Sequence, residues 1–302
     1  METLFPAYRD IIPEFSLFQE SLRRPFPIHL RINGLKVSPN GPVARLKARG
    51  YGLEKATVDA DNLYFVRGGL SSPGNLTAYD LGHIHPQALT SCLAALALGP
   101  SRGSFILDMC AAPGGKTSHL AELNGNTGLI VANELHPSRQ IPLGHTLNRL
   151  GVLNSILTGY QAQEFPLKSK YDFILADVPC SAEGKFRKLR ADAVYRVTRG
   201  KRTLPDLQKK IILRGFDLLK DDGQMLYATC TYHPQENEAV VHHLLKRRPA
   251  TLLPLNLETP HEPGILRWRE ETYDTQLERA ARFYPHRVDS VGFFMAKIGK
   301  RA

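Results

Sequence analysis

Cysteine is scarce and scattered in this chain. Its 302 residues hold only Cys92, Cys110, Cys180 and Cys230, with no C-x-x-C pair, which argues against a zinc site and against a disulfide framework. No metal is expected. No apolar run approaches the roughly 18 to 20 residues of a membrane span, and the longest, around Cys92 to Leu98, is far shorter. The start, Met1 to Pro6, lacks the basic-then-apolar order of an export signal. A reducing cytoplasm, no membrane contact and a monomer are the resulting expectations. The dinucleotide fingerprint G-x-G-x-x-G is also missing, which counts against a nicotinamide enzyme. There are no repeats and no low-complexity tail.

The composition that remains is that of a folded protein, with 42% apolar and 23% charged residues, and the length allows one large domain beside a smaller one. A net charge of +10 makes a polyanion the first partner to consider.

The chain is organised around Phe105 to Thr117. An apolar strand (Phe105, Ile106, Leu107) runs into Asp108-Met109-Cys110-Ala111-Ala112-Pro113-Gly114-Gly115-Lys116-Thr117 and restarts as a helix through Leu123. A strand that ends in small residues and restarts as a helix lets a ligand approach the backbone and the first helical amides. Gly115-Lys116-Thr117 fits the second half of a phosphate loop, but its first glycine would fall at Cys110, so a triphosphatase reading fails. A cradle for a weakly charged nucleoside survives, with S-adenosylmethionine as the leading example. A plain strand-turn-helix corner is the alternative.

In front of this stretch, residues 1–22 read as a helical lead-in carrying Phe5, Tyr8, Ile11, Ile12, Phe15, Phe18 and Leu22, and Pro25 and Pro27 end it. Ile28 to Asn33 alternates as a strand, Val43 to Arg49 reads as a short helix and Leu63 to Val66 as a second strand, giving a small α/β module over residues 1–78. The turn-rich Ser71-Ser72-Pro73-Gly74-Asn75 marks its boundary with a domain over 79–302.

Pro86 to Leu98 predicts a helix. From residue 104, strands and helices alternate, the signature of a mostly parallel sheet with helices on both faces. Strands are predicted at Leu129–Asn133, Ser155–Leu157, Tyr171–Ala176, Met225–Thr229 and Val291–Lys297, with helices at Arg139–Leu150 and Leu207–Leu219. Glu134, at the tip of Leu129–Asn133, is placed to accept hydrogen bonds from ribose hydroxyls, or else is a helix-entry carboxylate.

Ligands of open α/β sheets gather at the carboxyl ends of strands, and Cys180 and Cys230 each follow a predicted strand, as the glycine cradle does. Cys92, in its alanine-rich helix, is expected to be a buried small hydrophobe. A thiolate beside a methyl donor suits a particular problem. Carbon 5 of a pyrimidine is a poor nucleophile until a thiolate adds to carbon 6 and makes it enamine-like. An electropositive pocket lowers the thiol pKa. Asp177, sharing a proton with N3 of cytosine, would offset the charge pushed into the ring. These residues alone do not say which cysteine attacks.

The blocks Asp108 to Thr117, Asp177-Val178-Pro179-Cys180-Ser181-Ala182-Glu183-Gly184 and Thr229-Cys230-Thr231 followed by Glu236-Asn237-Glu238 resemble the signatures of the Nop/Sun-type RNA 5-methylcytosine methyltransferases. The similarity runs from about Gly82 to Gly292-Phe293-Phe294 and, more loosely, to Leu30-Arg31-Ile32-Asn33. The resemblance implies a Rossmann-like class I methyltransferase domain behind the small module. It implies Cys230 as nucleophile, Cys180 as the group that assists adduct breakdown, and Asp177 facing both cytosine and methyl donor. Cys110, Ala111, Ala112, Pro113, Gly114, Gly115, Lys116, Glu134, Arg139 and Asp177 would hold S-adenosylmethionine. The family usually places an aspartate after the third strand to meet the adenine amino group, and here Gln161 aligns.

Lys185 to Arg202 carries Lys185, Arg187, Lys188, Arg190, Arg196, Arg199, Lys201 and Arg202 against Asp192 alone, directly after Cys180. Lys185, Arg187, Lys188 and Arg190 are read as phosphate contacts, with a solvated surface as the plain alternative. Arg23, Arg24, Arg31, Arg45, Lys47 and Arg49 of the front module are candidates for a second wall of an RNA groove, or simply cover the sheet. No additional RNA-binding domain is read after the last strand, so specificity is expected from these pieces or a bound partner. The expectation is methyl transfer to carbon 5 of a cytosine in structured RNA, ribosomal RNA being favoured over transfer RNA. An RNA-binding or ribosome-assembly factor without turnover, and a DNA cytosine methyltransferase, are the rival readings.

Overall fold

The computed structural model describes residues 3–70, 72–187 and 203–301. The lead-in is two short pieces rather than the single helix expected: a 3-10 turn, Pro6–Tyr8, and α1, Phe15–Ser21. Pro13 has no N–H to donate, and Glu14 beside it takes a left-handed φ of 48°, so the helix restarts only at Phe15. Both pieces turn their apolar side chains into the large domain, where Phe5, Tyr8, Phe18 and Leu22 share one core with Tyr232, Trp268 and Tyr284.

The front module contains β1 (Ile28–Ile32), α2 (Asn40–Ala48), β2 (Gly52–Lys55), β3 (Leu63–Gly68), α3 (Thr77–Asp80) and β4 (Ile84–Pro86). Its strands form an antiparallel sheet in the order β2-β3-β1-β4. Leu30 and Ile32 of β1 pack with Tyr64 and Val66 inside the module. The opposite face of β1 is buried too. Arg31 is fully buried, donates to Gln87 Oε1 at 3.1 Å and to Ser118 Oγ at 2.7 Å, and pairs with Glu122. Arg31 is therefore no part of an RNA groove; it ties the front sheet to the large domain. Burial of a guanidinium is tolerated because its donors meet a carboxylate, an amide and a hydroxyl.

The large domain runs α4 (Leu89–Leu98), β5 (Phe105–Asp108), α5 (Gly115–Asn124), β6 (Leu129–Asn133), α6 (Pro137–Leu150), β7 (Ser155–Thr158), β8 (Tyr171–Asp177), α7 (Leu204–Leu218), β9 (Leu219–Thr229) and α8 (Glu238–Arg247). The helix expected to begin at Pro86 starts at Leu89, because Ile84–Pro86 is taken into the front sheet. After α8 come β10 (Ala250–Leu253), β11 (Glu262–Pro263), β12 (Arg267–Trp268), β13 (Glu271–Thr272), β14 (Ala281–Phe283), α9 (Pro285–Val288) and β15 (Phe293–Lys300).

Strands β7-β6-β5-β8-β9 are parallel in that order, and β15 joins antiparallel to β9, with β14 and β10 both paired to it. This is a Rossmann-like sheet with an antiparallel flank. Neighbouring residues on the central strands go to opposite faces: Leu107, Ile174 and Met225 to one core, Ile106, Leu175 and Leu226 to the other. Burial on both faces explains why these strands read as unbroken apolar runs. Helix α7 covers the first face with Ile211, Ile212 and Phe216, while α4 and α5 cover the second with Leu93 and Leu120. Among the described residues, no helix is long and apolar enough to cross a membrane.

One buried ion pair locks the antiparallel flank to α8. Arg282 donates from Nε to Glu238 Oε1 at 2.6 Å and from Nη2 to Glu238 Oε2 at 2.5 Å, with side chains 2% and 0% exposed. Removing one partner strands the other charge in the core, so Arg282→Met is expected to lower unfolding free energy by about 3–5 kcal/mol in urea titration. Arg282→Met with Glu238→Leu should recover most of that loss, because two matched apolar groups leave no unpaired charge.

Candidate active site

The carboxyl ends of β5, β8 and β9 open into a cavity of about 510 Å³, within the range of small-ligand sites. Cys110, Ala111, Ala112, Pro113, Gly115, Lys116, Arg139, Asp177, Cys180, Lys185 and Cys230 all line it. Three strand ends thus converge on one space, as their positions in the sequence predict.

The cradle is held from behind. Ala111 N donates to Asn133 O at 2.8 Å, and Arg139 Nη2 donates to Ala112 O at 3.0 Å. Gly114 takes φ 100°, and a Cβ there would sit 3.1 Å from Leu143 Cδ1 and 3.2 Å from Thr146 Cβ, so both its dihedral and its packing call for glycine. Asp108 closes the floor. Its Oδ2 accepts from Thr117 Oγ1 at 2.7 Å, while Oδ1 has no partner among the described residues, and burial pushes the carboxyl up to about 7. Burial, with Asp108 next, likewise pushes the Cys110 thiol well above its ordinary range, which keeps it protonated.

At the end of the cradle, Lys116 Nζ lies 2.7 Å from Asp177 Oδ2 and 5.3 Å from the centre of the Phe293 ring. Burial works to lower the lysine's pKa, but the Asp177 carboxylate holds it above its usual range. Cys180 Sγ and Cys230 Sγ are 3.3 Å apart, both as free thiols. Their contact splits the two pKa values. Hydrogen bonding from Cys180 lowers Cys230, helped by the charges of Lys185 and Lys116, and the same contact followed by burial raises Cys180.

The family profile described as 16S rRNA methyltransferase RsmB/F matches residues 95–299. The chain belongs to the RsmB/F methyltransferase family. It is 35% identical to the human 28S rRNA (cytosine(4447)-C(5))-methyltransferase over 96% of its own length but 37% of that protein's. Against the Pyrococcus abyssi tRNA (cytosine(49)-C(5))-methyltransferase it is 32% identical, over 94% of this chain and 91% of the relative. A crystal structure of a methyltransferase homolog from Pyrococcus horikoshii superposes with a TM-score of 0.84 at 30% identity, covering 96% of this chain and 91% of the other. The class I methyltransferase fold is thereby shown, and S-adenosylmethionine is the methyl donor of this fold and family. The cradle suits that cofactor: small residues, a helix N-terminus at Gly115, and a buried acid with an unpartnered oxygen.

A hydroxyl network clamps the two cysteine turns of this RsmB/F-family chain together. Ser181 Oγ and Thr231 Oγ1 are 2.7 Å apart, Thr231 Oγ1 donates to Glu183 Oε2 at 3.0 Å, and Tyr8 OH donates to Glu183 Oε2 at 2.9 Å. Since Thr231 gives its proton to Glu183, Ser181 must donate to Thr231. Glu236 Oε2 accepts from Ser181 N and from Gln208 Nε2, each at 2.9 Å. Behind Cys230, Gly184 N donates to Cys230 O at 2.9 Å, and a Cβ on Gly184 would fall 2.1 Å from Gly292 O, so only glycine fits that crossing.

Several residues singled out from the sequence stand apart from the cavity wall. Glu134 is buried, pairs with Arg139 Nη1 at 3.2 Å and accepts from His136 N at 3.0 Å; it reaches the cavity only through Arg139. Gln161 is exposed and accepts from Gln163 Nε2 at 2.7 Å. Arg187 donates to Phe186 O at 2.8 Å and Ser290 O at 3.0 Å and covers the Phe26 ring, so its guanidinium is engaged within the protein. Lys188 and Arg190 lie outside the described residues.

Sequence reasoning missed the front wall: Phe26, His85, Gln87 and Ser91 also line the cavity. Arg149 Nη2 lies 3.0 Å from His85 Nδ1, and because arginine only donates, that nitrogen accepts and the proton sits on Nε2. Burial, then the charges of Arg31 and Arg149, pushes this imidazole down to about 3, so it stays neutral. The signal was available in His85-Pro86-Gln87, a strand end directly before a helix.

Proposed function

We propose that this chain transfers a methyl group from S-adenosylmethionine to carbon 5 of a cytosine in RNA, through a covalent bond between Cys230 Sγ and carbon 6. The observation that carries the reading is the Cys180–Cys230 pair, 3.3 Å apart, in one cavity with the Asp177–Lys116 pair and the cradle.

Bound S-adenosylmethionine supplies an electrophilic methyl group there. The Ala111 to Lys116 turn, Asp108 and Arg139 would hold it, with Glu134 orienting Arg139. The Cys230 thiolate adds to carbon 6, forming the C–S bond and shifting the ring electrons towards N3. Lys116 Nζ, 2.7 Å from Asp177 Oδ2, supplies the proton that Asp177 relays to N3, and the pair offsets the charge pushed into the ring. Carbon 5, now nucleophilic, takes the methyl group. N3 gives its proton back through Asp177 as carbon 5 is methylated; Cys180, its own proton released to solvent, then removes the carbon 5 proton, the C5=C6 bond re-forms and the C–S bond breaks with its electron pair on Cys230. Lys185, on the cavity wall, contacts the phosphate of the extruded nucleotide.

Relatives named for rRNA and for tRNA stand side by side, so the test covers both. Total RNA from cells lacking this protein is incubated with labelled S-adenosylmethionine, and the product is mapped by bisulfite sequencing. Incorporation at one protected cytosine is the expected result. Cofactor binding without incorporation into free RNA or precursor ribosomal particles would overturn the reading in favour of a binding factor.

A further inference from the structure

A second cavity, of about 320 Å³, adjoins the first and shares Phe26, Gln87 and Val291 with it. Its other walls include Pro27, Ile28 and Pro73, which are apolar, and the amide of Gln87 is already engaged. Gln87 accepts from Arg31 Nε at 3.1 Å and donates to Ser91 Oγ at 3.3 Å. His29 is 6% exposed and stands edge-on to Phe65 at 5.1 Å. Such a space favours a flat apolar surface over a hydrogen-bonding one.

Phe26 stands at the junction. It is 40% exposed, on a chain whose aromatic side chains are mostly buried. The Arg187 guanidinium carbon lies 4.1 Å from its ring centre, and the hydrogen bonds of Arg187 to Phe186 O and Ser290 O fix that backing plate. A cytosine extruded into the larger cavity leaves the next nucleotide, one phosphate away, without a stacking partner on that side. A held aromatic ring opening on a continuous apolar recess replaces that partner.

We propose that the smaller cavity is a subsite for the base of the nucleotide directly adjoining the target cytosine, stacked on Phe26. The inference rests on the RNA reading above and adds a second point of contact. Because the recess offers stacking and few unengaged polar groups, it accepts purines and pyrimidines alike.

The test uses the full chain and an RNA oligonucleotide spanning the methylated cytosine, intact or with an abasic ribose on one side of the target. RNA affinity is read by fluorescence anisotropy and turnover by methyl transfer. Phe26→Leu, which keeps an apolar side chain in place, should weaken binding of the intact RNA roughly 5- to 150-fold, the range of one base–aromatic stack. S-adenosylmethionine affinity should not change. The abasic substitution on one side should cost the wild type a similar factor and cost Phe26→Leu nothing further, and Phe26→Trp should restore the sensitivity. Losses that multiply independently, or a Phe26→Leu protein that binds intact RNA like the wild type, overturn the subsite even where methylation proceeds. Coupled losses in binding without any methyl transfer would uphold the subsite and overturn the activity reading instead.

Discussion

Cys230→Ala is expected to abolish methyl transfer, by at least about a thousandfold, while S-adenosylmethionine still binds. Cys230 follows β9, and the cradle lies on the β5–α5 turn, so the substitution removes the atom proposed to attack without touching the residues proposed to hold the cofactor. Loss of one sulfur from a buried position is expected to cost about 1 kcal/mol of stability, far too little to unfold the domain. The assignment rests on asymmetry between two adjacent thiols. The contact between the two sulfurs lowers Cys230, helped by the charges of Lys185 and Lys116, and raises Cys180, which favours the thiolate at Cys230. Labelled methyl transfer and cofactor titration on the same preparation check it. Retained turnover would move the nucleophile to Cys180.

Cys180→Ala is expected to trap the enzyme on its RNA, giving a protein–RNA band that survives denaturing electrophoresis. The causes of the raised Cys180 thiol are, first, its hydrogen bond with Cys230, then burial, then the charge on Cys230. Once Cys230 is a thioether, the first and third causes vanish, and Cys180 becomes easier to deprotonate at the moment a base is needed at carbon 5. Alanine cannot take that proton, so the adduct persists. The same substitution removes the sulfur contact that lowers Cys230, so the pH needed to alkylate Cys230 with iodoacetamide should rise. A Cys180→Ala protein that releases methylated RNA at the wild-type rate would assign the base elsewhere.

The central strands were legible because burial on both faces leaves a signature: Leu129–Asn133 was read to the residue, and Phe105–Asp108 and Tyr171–Asp177 to within one. The convergence of Cys180, Cys230 and the cradle followed from that, since strand ends on one edge of a parallel sheet must meet. What failed to show has physical reasons. The stretches β11, β12 and β13 have two residues each, too few for any period to register. Arg31 and Arg187 looked like surface charge because composition does not reveal a partner, and each is engaged by groups far away in sequence: Glu122 for Arg31, Ser290 for Arg187. Phe26 reaches the cavity only because the front sheet docks through Arg31, a tertiary fact with no local sequence mark.

The docking of the first residues also constrains how the protein acquires its shape. Tyr8 reaches Glu183 across a separation of 175 residues, and Ile11 O accepts from Tyr284 OH across 273. During synthesis the lead-in emerges well before its partners Tyr232, Trp268 and Tyr284, which lie more than 200 residues further along the chain. Closing so long a loop is slow, and the apolar side chains of this segment stay exposed in the interval. Docking of the lead-in onto the clamped cysteine turns is therefore expected to come late in folding, after the parallel sheet that carries the cradle has formed.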